Sequence, residues 1–114
     1  INKYHKTYDK LGLVYDELDM EDKAIENFKE AINLNPRYAK AHNDLGTVYG
    51  KIGEFDLALE EFNAAIKIDK DYADAHFNKG ILLEFSGEED KAREEFDIAL
   101  RLEPQNELYR QKLR

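Results

Sequence analysis

Apolar residues recur along the chain at steps of three and four, as in Ala58, Leu59, Phe62, Ala65 and Ile66, with Ile68 after a shorter step. That spacing lines one face of an α-helix. The runs break at Asp19, Gly53 and Gly87, where a helix must stop and reverse, and again at Pro36 and Pro104. Glycine suits the left-handed backbone of such a stop, and aspartate is a tolerated substitute. The pattern predicts helices over residues 4–17, 21–34, 38–51, 55–68, 72–85 and 89–102. The tail from Glu107 to Arg114 reads as a seventh helix that would cover the apolar face of the last pair.

The pattern also returns every 34 residues: Leu11-Gly12-Leu13-Val14-Tyr15 is echoed by Leu45-Gly46-Thr47-Val48-Tyr49 and more loosely by Lys79-Gly80-Ile81-Leu82-Leu83. With units at 5–38, 39–72 and 73–106, eight places align. The fourth holds Tyr8, His42 and His76, the seventh Leu11, Leu45 and Lys79, the eighth Gly12, Gly46 and Gly80, and the eleventh Tyr15, Tyr49 and Leu83. Then come Ala24, Ala58 and Ala92, next Phe28, Phe62 and Phe96, next Ala31, Ala65 and Ala99, and last Pro36, Lys70 and Pro104. A fixed period of this size is the mark of a stacked array in which each unit buries its apolar face against the next. Glycine inside a helix costs about 1 kcal/mol relative to alanine, so its return at one place calls for a packing reason. Close approach of the paired helix supplies one, with the alanines as matching small surface and the phenylalanine filling the remaining space.

These residues resemble the tetratricopeptide repeat, which sets a large aromatic, Leu-Gly, Tyr, Ala, Phe, Ala and Pro at the same offsets. The resemblance covers residues 5–106; Lys79, Leu83 and Lys70 depart from it, as do the histidines at the aromatic place, so the third unit is the least regular. It implies an all-α fold: a right-handed α-superhelix, or solenoid, of three antiparallel helix pairs plus a C-terminal capping helix at 107–114, one array over the whole chain. It also implies a non-catalytic protein-interaction module that holds a peptide segment of a partner in a concave groove.

By alignment with the family, the groove residues of the first unit are Lys6, Asp9, Lys10, Leu13, Asp16 and Glu17. Those of the second are Lys40, Asn43, Asp44, Thr47, Gly50 and Lys51, and those of the third Asp74, Phe77, Asn78, Ile81, Glu84 and Phe85. Six acids against four lysines make the groove mildly acidic. The family's carboxylate clamp for acidic chaperone tails would need a lysine and an asparagine at the places of Asp9 and Leu13, an asparagine at that of Asp44, and a lysine and an arginine at those of Asp74 and Asn78. None of the five matches, so a chaperone tail is not the expected partner. The asparagine ladder of a sugar-transferring relative is also missing, since its places hold Lys10, Asp44 and Asn78. Phe77, Ile81 and Phe85, spaced by four, stack on one side of a single helix. Either they anchor a partner or the following helix or further chain covers them. The first reading implies a partner with apolar anchors and basic residues, the latter facing Asp44, Asp74 and Glu84.

Charge narrows the partners further. A net charge of −8 disfavours nucleic acid and anionic membrane surfaces, and no apolar run nears the ~18 residues that span a bilayer. There is no cysteine, which excludes disulfides and thiolate chemistry and fits a cytoplasmic setting. The chain starts at Ile1 and ends in helix-like sequence, and is expected to be a segment of a longer protein. No metal or cofactor is expected: His42 and His76 sit on stacked helices about 8–10 Å apart, too far to share an ion, and read instead as inter-repeat packing. The pairs Glu60-Glu61, Glu88-Glu89 and Glu94-Glu95 read as solvated faces, because neighbours along a helix diverge. Ser86 and the threonines lack a base within reach, and no phosphate loop is present. Two other readings stand beside the binding module: a spacer or self-association element that docks on another copy, and a regulatory arm of a larger protein.

Overall fold

The computed structural model describes residues 3–114. They form seven helices and no strand: α1 (Tyr4–Glu17), α2 (Glu21–Leu34), α3 (Ala39–Lys51), α4 (Phe55–Ile68), α5 (Ala73–Phe85), α6 (Glu89–Leu102) and α7 (Glu107–Lys112). Tyr38 and Tyr72, expected as first helical residues, are instead extended caps with ψ of 91°, and α7 closes at Leu113. Helices pair as α1 with α2, α3 with α4 and α5 with α6, and α1, α3 and α5 lie side by side in one row. The whole is an α-superhelix.

The same contact recurs in each pair. Ala24, Phe28 and Ala31 of α2 are fully buried, as are Ala58 and Ala65 of α4 and Ala99 of α6, with Phe62, Ala92 and Phe96 nearly so. The phenyl ring of Phe62 lies over Gly46, where an added Cβ would stand 2.6 Å from a ring carbon; Phe96 stands in the same relation to Gly80, and Phe28 to Gly12. The recurrent glycine is therefore a seat for the ring of the facing helix.

The reversals within pairs are identical in bonding. Met20, Glu54 and Glu88 each donate their N–H to the carbonyl five residues earlier, on Tyr15, Tyr49 and Leu83, all at 2.9 Å. The residue before each has positive φ: Asp19 at 58°, Gly53 at 86° and Gly87 at 82°. This is the Schellman stop, which leaves the last carbonyls satisfied. Asp19 alone carries a Cβ there, so Asp19→Gly is expected to raise stability by about 0.5–1 kcal/mol, read as a higher midpoint in denaturant unfolding.

The C-terminal tail behaves as the first helix of another unit. Asn106 caps it by accepting from the Tyr109 N–H at 3.2 Å. Tyr109 is buried, stacks on Phe77 at 4.6 Å between ring centroids, and donates its hydroxyl to Asp74. Leu113 packs on Leu83, Ala92 and Phe96.

Candidate functional site

Along the inner row, many of the aligned groove residues hold the helices to one another. Lys51 reaches back to Asp16 at 2.6 Å, Asn78 donates to Asn43 at 3.1 Å, and Lys112 of α7 pairs with Glu84 at 2.8 Å. Lys40 of α3 bonds Asp44 on its own helix at 3.0 Å and Asp9 of α1 at 3.1 Å. Thr47 donates its hydroxyl to the carbonyl of Asp44 at 2.7 Å. Leu13 packs half-buried against the central core, while Lys6 and Lys10 are exposed.

The apolar stripe of α5 divides. Phe77 is not an exposed anchor: Tyr109 covers it on one side and Phe96 flanks it at 5.4 Å. Ile81 is half-buried against Leu83, Ala92 and Phe96. Phe85 is 77% exposed. The cover that Tyr109 gives Phe77 does not extend to Phe85.

Ile81 and Phe85 open onto a cavity of about 490 Å³ between three helices. From α3 come Gly46, Thr47, Gly50 and Lys51, from α4 Phe55 and Phe62, and from α5 also Asn78 and Leu82. Its size lies within the ~300–1,000 Å³ range of ligand clefts. Gly50 differs from Gly46: a Cβ there would meet nothing within 4 Å, so no packing contact within the protein excludes a side chain. The groove alignment includes Gly50 but gives no sign of a cavity, and Phe55 falls outside it. A signal was present, since the places of Gly50 and Phe55 hold Asp16 and Glu21 in the first unit and Glu84 and Glu89 in the third. The second unit alone is small and apolar there.

Electrostatics in the row centre on Asp44. Burial, then the hydrogen bond and charge of Asp9, push its carboxyl up from 3.8 to about 7, against the pull of Lys40. For Lys40, burial opposes the charge, but its bonds to Asp44 and Asp9 win and raise it. Tyr72 is pushed up to about 12, by burial first and by Asp44 next; Tyr38 rises through burial and then Asp9.

The histidines tie each pair to the preceding turn. His42 Nδ1 lies 2.8 Å from Glu61 and Nε2 2.9 Å from the Pro36 carbonyl; His76 repeats this with Glu95 and the Lys70 carbonyl at the same distances. Glu61 and Glu95 are therefore half-buried partners rather than the solvated faces expected of them. The first unit has Tyr8 and Asn27 at these two places, so the pairing of His with Glu is written in the chain. A carbonyl and a carboxylate both accept, so each ring nitrogen of His42 must donate, and the bond to Glu61 raises its pKa.

Asp44 and His42 both hold protons more tightly folded than unfolded. Their contribution is full below the unfolded values and is lost as pH rises, from about 4 through about 7 for Asp44 and upward from about 6.5 for His42. Denaturant midpoints are expected to fall between about pH 5 and about pH 8, with Asp44→Asn flattening the slope.

No helix of the described residues is long and apolar enough to cross a membrane. Comparison with known proteins agrees with the fold. The "TPR repeat" family profile matches residues 22–53 and 51–84, and the "Tetratricopeptide repeat" profile matches 73–106. A search of curated protein sequences gives no match. Among solved structures, MamA is similar with 29% identity and a TM-score of 0.87, over 96% of this chain and 64% of that one. The TPR domain of Arabidopsis OM64 gives 24% identity and a TM-score of 0.92, over 96% and 91%. The first TPR of Spaghetti (RPAP3), bound to the HSP90 peptide SRMEEVD, gives 18% and 0.93, over 99% and 90%. This chain thus spans under two-thirds of the length of the MamA chain. With the ring-over-glycine contact repeated three times and the profiles running from residue 22 to residue 106, the chain belongs to the tetratricopeptide-repeat family.

Proposed function

We propose that the chain is a non-catalytic protein-interaction module that takes an extended peptide segment along α1, α3 and α5, with a large apolar side chain of the partner seated between α3, α4 and α5. One observation carries this: an apolar cavity beside an aromatic ring that is 77% exposed, an arrangement that otherwise leaves apolar surface in water. The solved TPR domains of RPAP3 with bound chaperone peptides support peptide capture by the fold. An acidic tail of that kind is not the partner proposed here, because Asp9, Asp44 and Asp74 stand where a carboxylate would need donors.

The test is Gly50→Glu, which installs an acid where the first and third units carry Asp16 and Glu84. The helix gains a better helix former, and the carboxylate hangs over the cavity. A random-peptide selection should enrich a motif with an apolar anchor on the native chain, and the variant should lose it by about tenfold or more while its unfolding midpoint holds or rises. Equal enrichment on both would overturn the proposal.

Self-association is a second reading, favoured by the open face of the first unit. Leu11 is 41% exposed and Val14 52%, whereas their counterparts Leu45 and Val48 are 2% and 0% exposed under the preceding pair. Sedimentation that shows mass rising with concentration, and reversal by Leu11→Lys, would support it; a constant monomer mass would exclude it.

A further inference from the structure

Asp9 is the most deeply buried charged residue of the row at 1% exposure, and one of its oxygens, Oδ1, has no hydrogen-bond partner. The other, Oδ2, accepts from Lys40. The same ammonium serves Asp44, so Asp9 and Asp44 share a single cation. One ammonium thus faces two carboxyl groups, leaving an acceptor unused inside the protein, where an unmet acceptor is unfavourable. The other groups that face the pair are the phenols of Tyr38 and Tyr72 and Asn43, which is engaged by Asn78. Lys40 reaches this place from outside, with nearly half its side chain exposed, so it closes the pair without being locked in. A guanidinium offers five donors in a planar fork against the three of an ammonium, and so bridges two carboxylates more completely.

Thr47, whose hydroxyl bonds the Asp44 carbonyl, also lines the apolar cavity. We propose that the Asp9–Asp44 pair is a seat for an arginine side chain of the bound segment, which Lys40 occupies in the free protein and vacates on binding. This deepens the groove reading and rests on it.

The probe is Nα-acetyl-arginine amide, with Nα-acetyl-citrulline amide as the isostere whose side chain is uncharged, followed by carboxyl carbon-13 resonances of Asp9 and Asp44 at about pH 7.5. In Lys40→Met, the acetylated arginine amide is expected to move both resonances saturably and to bind about tenfold or more tighter than to the native chain. The acetylated citrulline amide should move neither, and Lys40→Met with Asp44→Asn should lose the effect. No saturable shift in Lys40→Met, or equal shifts with both amides, overturns the seat. If Lys40→Met does not fold, the native chain is titrated over an amide range about tenfold higher, and a flat response there overturns it equally. A phenylalanine peptide without arginine reads the cavity separately: its failure to bind counts against the groove, and a response to the acetylated arginine amide alone would then place the seat outside peptide capture.

Discussion

Phe62→Ala is expected to destabilise the chain by about 3–5 kcal/mol, a large share of the ~5–15 kcal/mol of a domain this size. Phe62 is 3% exposed and belongs to the same core as Ala24, Phe28, Leu45 and Leu82, so it joins the central pair to both neighbours. In an array each unit is stabilised through its neighbours, so a hole at the centre weakens both joints, whereas Phe28 lies in the first pair. The glycine makes the prediction sharper. Gly46→Ala alone must displace the ring 2.6 Å away, and about 1–3 kcal/mol of overpacking outweighs the helix gain of about 1 kcal/mol. In the Phe62→Ala background the added methyl enters an empty space, so the same substitution should stabilise. A double-mutant cycle in denaturant that gives additive values would refute the ring-over-glycine account.

Phe85→Asp is expected to act on the opposite quantity. The ring is mostly in water, so circular dichroism and the unfolding midpoint should stay within about 0.5 kcal/mol of native, while capture of the selected peptides should fall by about thirtyfold, the loss of a central anchor. Phe77→Asp, four residues earlier on the same face, should do the reverse. It places a carboxylate between Phe96 and Tyr109 and removes the stacking that holds α7, so unfolding shifts first. If Phe85→Asp binds peptide as the native chain does, the exposed ring is not an anchor.

The helices were legible because period and punctuation act locally: the three-four spacing and the stops at Asp19, Gly53 and Gly87 place every helix end within two residues. The glycine-phenylalanine contact was legible too, because the same small residue recurs where a helix should disfavour it. The division of the α5 stripe was not, since spacing makes Phe77 and Phe85 equivalent, whereas Tyr109 stacks on the first and the second faces the cavity beside α3 and α4. Nor was the use of Glu61 and Glu95, which required comparing the fourth place of one helix with a place on another. The alignment supplied positions in the row but not their pairings, so Asp9 and Lys40 stood as separate groove residues although one ammonium joins them.

The tail carries the repeat register further than its length suggests. Counted from Glu107, Leu113 falls at the seventh place, and it packs on Phe96 as Leu45 packs in the core with Phe28. The eighth place, glycine in all three units, is then Arg114. Where each pair seats a phenyl ring on bare backbone, the tail carries a long cation instead. The tail therefore keeps the register of the repeat through its seventh place and departs from it at the eighth.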